Sequence, residues 1–187
     1  MKSIRKSLGA GLALGAAVLV GAGLWSINAQ SADKPFGDAA SIKYSQDLWA
    51  ALSKAKLVGA NAMADKPYEG QEPHGAILET METEVTVSGH TGMAIVKRNY
   101  GPGGITVQQV SSDPAAHLKA VTVMFKREAG YDADNKNWFW VKFKPDGSLH
   151  KNPKGMELAG RVAKGMDKGC IACHSAAGGG DYMFRND

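Results

Sequence analysis

The chain has 187 residues, of which 44% are hydrophobic, and a formal net charge of +4. Three basic residues and no acidic residue lie in residues 1–29, so the rest of the chain carries a formal charge of only +1. A balance so close to neutral gives no case for nucleic-acid binding. The length that follows residue 29 is enough for one domain with its own hydrophobic core.

The first 29 residues have the pattern of a secretory leader. Three basic residues precede an uncharged run at residues 8–25, and residues 27–29 form a candidate cleavage site. The run is also long enough for an uncleaved N-terminal anchor. Its Gly and Ala content, and the small residues after it, favour a cleaved signal peptide. Residues 30–40 are expected to be a polar linker, and the remainder of the chain is expected to be exported to the periplasm.

The order of the predicted elements indicates an α+β domain at residues 41–187. Hydrophobic spacing predicts a helix at residues 40–58, and a second helix is expected at residues 158–168. Alternating hydrophobic and polar residues predict four strands, at residues 76–87, 93–100, 120–127 and 137–143. The first two strands should form a hairpin across a turn at residues 88–92, and residues 105–110 are predicted to be extended or irregular. We therefore expect a mainly antiparallel β-sheet with flanking helices.

Near the C-terminus, Cys170-Ile171-Ala172-Cys173-His174 has the spacing C-x-x-C-H, the attachment signature of a c-type haem. In such a site the two thiols form thioethers with the haem vinyl groups, and the histidine coordinates the iron. The chain has no other cysteine. We predict one covalent haem c, held by Cys170 and Cys173, with His174 as the metal ligand.

Two other interpretations of this motif stay open. A zinc site would need further ligands from distant histidines. A redox dithiol usually opens a helix after a strand. If His174 is a haem ligand, its second ring nitrogen should meet a carbonyl or carboxylate that fixes the orientation of the ring.

The chain resembles the cytochrome P-460 family, which includes cytochrome c′-beta. The resemblance begins near Trp49 and rests on four stretches: the C-x-x-C-H motif after a sheet, the aromatic strand Asn137-Trp138-Phe139-Trp140, the strand Gly92-Met93-Ala94-Ile95-Val96-Lys97, and the tail Asp181-Tyr182-Met183-Phe184. The haem motif alone is not specific to the family, and the strand order together with the Val-Lys pair narrows the choice. The resemblance implies a dimeric, mainly antiparallel β fold with a five-coordinate haem c.

Lys97 separates the two activities that the resemblance implies. Members similar to cytochrome P-460 oxidise hydroxylamine to nitrous oxide, and in them a lysine is covalently linked to a haem meso carbon. The c′-beta relatives lack this link and bind nitric oxide beside an apolar cap. Lys97 shares its strand face with Met93 and Ile95, where burial disfavours the charged amine and favours a nucleophilic one. The other interpretation is that Lys97 extends to solvent.

We therefore expect an exported mono-haem c enzyme that oxidises hydroxylamine at a haem cross-linked to Lys97, acts as a homodimer and passes electrons to an acceptor cytochrome. The alternatives are a nitric oxide binding protein similar to cytochrome c′-beta and a simple electron-transfer cytochrome c with a sixth iron ligand. The histidines available as a sixth ligand are His74, His90, His117 and His150. The candidates for a proton-accepting carboxylate are Glu79, Glu82, Glu84 and Glu128. The side chains expected either to wall the haem or to fill the core are Phe125, Phe139 and Phe143. The cations placed to pair with haem propionates, or simply to face solvent, are Arg161 and Lys164.

Overall fold

The computed structural model describes residues 34–184. The predicted leader and the first part of the predicted linker lie outside the described residues. Phe36, in the segment predicted to be a linker, is 3% exposed and forms an isolated β-bridge with Gly160, so it belongs to the packed domain. Within residues 34–184, no helix is both long enough and apolar enough to cross a membrane.

One six-stranded sheet forms the centre of the domain, and strands that follow each other in the chain are antiparallel neighbours. The strands are β1 (Tyr68–Glu69), β2 (Ile77–Val87), β3 (His90–Tyr100), β4 (Leu118–Lys126), β5 (Trp138–Phe143) and β6 (Ala159–Gly160). The helices are α1 (Ala39–Lys54), α2 (Val107–Ser112), α3 (Pro114–His117) and α4 (Cys170–His174). The predicted α+β class and all four predicted strands are confirmed, and two short edge strands are added to them.

The hairpin of β2 and β3 has a tighter turn than the five residues predicted. Ser88 and Gly89 alone join the strands, and Val87 lies opposite His90. Their φ angles of +49° and +84° are those of a type I′ turn, whose twist matches that of the flanking strands. Gly92 was predicted to be a turn residue but belongs to β3, where the absence of a Cβ permits close approach of the Lys126 carbonyl.

Residues 105–110, predicted to be extended or irregular, instead contain the start of α2. The helix begins at a capping box. The Thr106 hydroxyl accepts a hydrogen bond from the Gln109 backbone N–H, and the Gln109 side chain accepts one from the Thr106 backbone N–H. These bonds satisfy donors that the first turn of a helix leaves free, which stabilises a helix of only six residues.

The helix predicted at residues 158–168 is wrong, because these residues form β6 and a series of turns. Gly160 has a φ of +112° and Ala163 a φ of +64°, both in the left-handed region that interrupts a helix. Gly160 pairs with Trp140 across the sheet, and a Cβ on Gly160 would clash with Ser41 of α1. Close packing between two elements therefore overrides the local helical spacing.

The two faces of the sheet bury different sets of side chains. Val96 of β3 belongs to a core in which Leu48 and Leu52 of α1 are fully buried. The alternate residue Ile95 belongs to a second cluster that includes Ile171 of α4. We call these the helix face and the site face. Phe125, Phe139 and Phe143 all belong to the helix-face core, so these three fill the core and do not wall a cofactor site.

Candidate functional site

The C-x-x-C-H motif forms the short helix α4. It is preceded by Gly169, whose φ of +123° is accessible to glycine and whose missing side chain leaves room for Ala163. Residues three and four apart share one side of a helix, so Cys170 projects to the same side as Cys173 and His174. His174 is 8% exposed, whereas Cys173 lies at the surface.

A cavity of about 550 Å³, including its open mouth, lies against the site face. Its wall is formed by residues of the sheet, α4, one loop and the C-terminal tail: His74, Thr80, Glu82, Ile95, Lys97, Thr122, Val123, Met124, Trp140, Val141, Cys170, His174, Met183 and Phe184. The structure therefore brings Lys97 to the same cavity as Cys170 and His174.

His174 is oriented by a hydrogen bond from its Nδ1 to the backbone carbonyl of Tyr182, at 2.7 Å. A carbonyl oxygen only accepts, so Nδ1 carries the proton and Nε2 keeps a free lone pair. Burial lowers the pKa of His174, the Tyr182 carbonyl opposes that shift, and the positive charge of Lys97 adds to it. A neutral imidazole with a free Nε2 is the form that binds a metal. The prediction that the second ring nitrogen meets a carbonyl is confirmed.

Two tryptophans of β5 lie on the site face with equal burial but different hydrogen bonding. Trp138 and Trp140 are both 3% exposed. The Trp138 indole N–H donates to the Asp181 carbonyl at 2.9 Å, whereas the Trp140 N–H has no partner among residues 34–184. An unpaired buried donor costs about 1–3 kcal/mol. Trp140 lines the cavity, with its ring centre 4.9 Å from that of His174, so a cofactor with an acceptor would satisfy it.

Lys97 is half-buried in the cavity wall and forms no hydrogen bond or ion pair through its amine within the described residues. Burial lowers its pKa. Its neighbours across the sheet are Thr80 and Thr122. The apolar setting expected from its strand neighbours is provided by Ile95, which is 8% exposed, whereas Met93 is 36% exposed. Burial thus shifts the protonation of the amine toward its neutral, nucleophilic form.

The two other interpretations of the cysteine motif lose support. Burial raises the pKa of the Cys170 thiol to about 11, whereas a redox dithiol requires a lowered pKa. Nowhere in residues 34–184 do three or more His, Cys, Asp or Glu side chains meet in a group that could hold a metal ion by themselves. A zinc site of four protein ligands is therefore not formed there.

Of the four histidines considered as sixth ligands, only His74 lines the cavity. Its ring centre lies 6.0 Å from that of His174, and its Nδ1 is 3.3 Å from the Thr122 hydroxyl. Burial, together with the charges of Lys97, His174 and Lys142, lowers the pKa of His74 to about 4. His74 is therefore neutral at ordinary pH.

Of the four candidate carboxylates, only Glu82 lines the cavity, where it is exposed to solvent. Glu79 is buried on the helix face, where it accepts hydrogen bonds from Arg98 at 2.9 Å and from the Tyr100 hydroxyl at 2.5 Å. Glu128 is paired with Arg127. Glu79 and Glu128 are thus committed to structural partners.

The C-terminal tail closes one side of the cavity, a role that sequence reasoning missed. Met183 and Phe184 contribute to the wall, and Phe184 remains 51% exposed. The tail is held in place by the bonds that Asp181 and Tyr182 accept from Trp138 and His174. The tail resembled the family in sequence, but nothing in its composition indicated that it lies over the motif.

The comparisons with known proteins agree with this geometry. A sequence model of the family described as cytochrome P460 matches residues 54–185, which is most of the chain. Comparisons with curated proteins and with solved structures found no match. The family implies a haem cofactor, and the free Nε2 of His174, the two cysteines and the unpaired Trp140 N–H fit such a group. The chain therefore belongs to the cytochrome P460 family.

Proposed function

We propose that this protein is an exported mono-haem c oxidoreductase that converts hydroxylamine to nitrous oxide. The observation that carries the proposal is the position of Lys97, whose unpaired and half-buried amine lines the same cavity as Cys170 and His174. An amine with a lowered pKa in that place is suited to a covalent link with the cofactor.

Two cysteines and a histidine in the C-x-x-C-H spacing support attachment of a haem c. Cys170 and Cys173 would carry the two thioether bonds, and His174 Nε2 would ligate the iron. When bound, the haem supplies an iron centre that takes a small nitrogen compound and accepts its electrons. Tyr182 fixes the orientation of the His174 ring through its carbonyl, and Trp140 with the tail shields that ring from water. Lys97 would be joined to the group by its own covalent bond, in which a C–N bond replaces a meso C–H bond and the two electrons and two protons lost pass to an external oxidant.

Glu82 is the proposed proton acceptor. Conversion of two hydroxylamine molecules to one nitrous oxide and one water releases four protons and four electrons. A base within reach of the substrate speeds such a step. Glu82 combines a place in the cavity wall with exposure to solvent, so its carboxylate can take up a proton and release it outside. The electrons would leave to an external acceptor cytochrome.

Two observations favour other functions. Ile95, Met124 and Phe184 make part of the cavity wall apolar, which suits nitric oxide binding of the c′-beta type. His74 stands beside His174, which suits a six-coordinate electron carrier. In a nitric oxide binding protein of this type, Lys97 would not be linked to the haem. In an electron carrier, the resting iron would have no open coordination position.

Mass spectrometry of the haem-loaded protein tests the proposal. After proteolysis, the peptide containing Lys97 is expected to stay attached to the haem that carries the Cys170–Cys173 peptide, and the ferrous protein should have a strongly red-shifted Soret band. In Lys97→Met the Lys97-containing peptide should be free of the haem and the red shift should be lost. Lys126→Met changes a second half-buried lysine of the site face, one that does not line the cavity, and should alter neither property. A free Lys97 peptide in the unaltered protein would overturn the cross-link, and a low-spin six-coordinate spectrum would favour the electron carrier.

Export to the periplasm and homodimer formation are part of the same proposal and rest on the leader pattern and on the family resemblance. Cell fractionation with N-terminal sequencing of the mature protein tests cleavage of the leader. Light scattering after size-exclusion chromatography tests the dimer, for which a monomeric mass at micromolar concentration would be contrary evidence.

A further inference from the structure

The unpaired indole N–H of Trp140 requires an explanation, because buried polar groups in folded proteins almost always have a hydrogen-bond partner. Trp138 lies two residues earlier on the same face of β5 and is buried to the same 3% exposure, yet its N–H is satisfied by Asp181. The absence of a partner for Trp140 within the described residues is thus not a general feature of this face. Trp140 lines the cavity, so a bound group can supply the acceptor.

A cation lies next to this donor. Lys142 follows Trp140 by two residues on β5, which places it on the same face of the sheet, opposite Thr122. It is half-buried and has no ion pair in the described part of the chain. Its positive charge acts on the Cys170 thiol and on the His74 imidazole, both of which line the cavity. Lys142 is not among the residues that line the cavity, but it lies near enough for its charge to act on two of them, and it has no ion-pair partner within residues 34–184.

The cations that sequence analysis placed beside the motif are engaged elsewhere. Lys164 is paired with Asp132. The Arg161 guanidinium lies 6.0 Å from the ring centre of Tyr131. Haem brings two carboxylates with it, and these need donors and positive charge from other parts of the protein.

We propose that Trp140 and Lys142 form a binding site for one propionate carboxylate of the haem, with the indole N–H donating to one oxygen and the lysine ammonium pairing with the other. A donor beside a cation is complementary to a carboxylate, and charge-assisted bonds of this kind are stronger than bonds between neutral groups. The proposal rests on haem attachment at Cys170 and Cys173 and goes beyond the hydroxylamine reaction, since it holds equally for a nitric oxide binding protein.

A second candidate acceptor for the Trp140 N–H is the oxygen of a small ligand bound at the iron. The two acceptors are distinguished by what a substitution of Trp140 changes. Loss of a bond to a propionate alters the vibrations of the haem carboxylate in the ligand-free protein. Loss of a bond to a small ligand alters only the properties of the ligand complex.

Resonance Raman spectra of the haem-loaded full chain test the proposal. Trp140→Phe and Lys142→Gln are each expected to shift the propionate bending mode in the absence of any added ligand. Trp138→Phe is the matched control and should leave that mode unchanged, because the Trp138 N–H already bonds Asp181. The propionate is also expected to ionise about one pH unit higher in Lys142→Gln, since an opposite charge favours the carboxylate. This shift moves the pH range over which the reduction potential varies to higher pH.

An unchanged propionate mode in Trp140→Phe, or a change confined to its nitric oxide complex, would overturn the proposal. If Trp140→Phe does not fold, the half-exposed Lys142→Gln variant decides, and an unchanged mode and an unchanged ionisation there overturn it as well. Covalent haem is measured first, by denaturing electrophoresis with haem staining. A chain without covalent haem contradicts the proposed function itself, and this outcome is distinguishable from a haem-loaded chain with unaltered propionates.

Discussion

His174 and Tyr182 are linked by a 2.7 Å hydrogen bond from the imidazole Nδ1–H to a backbone carbonyl, across the turn that follows α4. The neighbouring carbonyl, that of Asp181, accepts from the indole of Trp138 at 2.9 Å. The tail thus has two adjacent anchors, one on the proposed iron ligand and one on the sheet. The strength of the bond from His174 to Tyr182 therefore depends on how the bond from Trp138 to Asp181 positions the tail.

Trp138→Phe is expected to weaken the bond from His174 to the Tyr182 carbonyl, because the tail loses its anchor on the sheet. A weaker bond makes the imidazole a poorer electron donor, so the iron–histidine stretching frequency of the ferrous protein should fall and the reduction potential should rise. The free energy of unfolding should drop by about 1 kcal/mol for the lost hydrogen bond. Trp140→Phe should leave the iron–histidine frequency unchanged, and equal changes in both variants would contradict this account.

Glu82→Gln is expected to slow hydroxylamine oxidation by roughly 10²–10⁴-fold, the usual contribution of a general base. Glu84 offers a matched control, since it is exposed on the same strand and the same side but does not line the cavity. Glu84→Gln should therefore stay within about twofold of the original rate. Steady-state oxidation with an artificial electron acceptor provides the measurement. Equal rates in the two variants would exclude Glu82 as the base.

Arg98→Met is expected to reduce the free energy of unfolding by about 3–5 kcal/mol, because it leaves a buried carboxylate unpaired. Arg98 is 5% exposed and Glu79 2%, and the guanidinium also donates to the carbonyls of Leu57 and Met63. Chemical denaturation followed by circular dichroism measures the loss.

The control for this substitution is the surface pair of α1. The Lys43 amine lies 2.6 Å from Asp47, and the Lys43 side chain is 68% exposed. Lys43→Met should change the free energy of unfolding by less than about 0.5 kcal/mol, since exposed pairs contribute little. A comparable loss in the free energy of unfolding of both variants would show that the buried Arg98–Glu79 pair contributes no more to stability than the exposed Lys43–Asp47 pair.

Asp38→Ala is expected to cost about 1 kcal/mol of stability at neutral pH, because Asp38 caps the start of α1. Its carboxylate accepts hydrogen bonds from both the backbone N–H and the hydroxyl of Ser41. Burial opposes ionisation, but these bonds prevail and hold the pKa of Asp38 below 3.8.

A pKa that is lower in the folded protein gives stability that is complete above the unfolded value and is lost as the pH falls through the folded value. The difference between the original protein and Asp38→Ala should therefore shrink below about pH 4. Asp38→Asn keeps a capping oxygen and should retain most of the stability at pH 7. Denaturation at pH 7 and at pH 3 measures both effects, and a difference that does not depend on pH would contradict the role of the charge.

The sequence was sufficient to predict the main strands of the sheet but not the segments that connect them. Alternation of hydrophobic and polar residues predicted β2 to β5 because the helix face of the sheet is mostly apolar, whereas the site face carries more polar side chains. The helix at residues 158–168 was wrong because Gly160 packs against Ser41, a contact that no local pattern reveals. The start of α2 carried a readable signal, the Thr-x-x-Gln capping box at Thr106, which hydrophobic periodicity does not register.

The residues of the candidate site also divide into those that the sequence predicted and those that it did not. Cys170, Cys173 and His174 were predicted from their spacing, which is a local property. Lys97 was predicted from the family resemblance, and its apolar setting from strand parity. Trp140, His74 and Phe184 reach the cavity from a distant strand, a loop and the tail. They meet only after the sheet has paired, so their meeting depends on long-range contacts that one sequence does not display.

The length of the two-residue turn at Ser88–Gly89 determines which face of the sheet Lys97 occupies, and this constrains how related chains can vary. Strand pairing has a period of two, so an insertion or deletion of one residue that shifted β3 relative to its neighbours would exchange its faces. Val96 would then point into the cavity, and Lys97 would face Leu48 and Leu52 in the core. Point substitutions on the site face can change the proposed reaction while leaving the core intact, whereas a length change at this turn would remove the Lys97 amine from the cavity and also damage the core. We expect related chains to vary in the residues of the site face more freely than in the length of this turn.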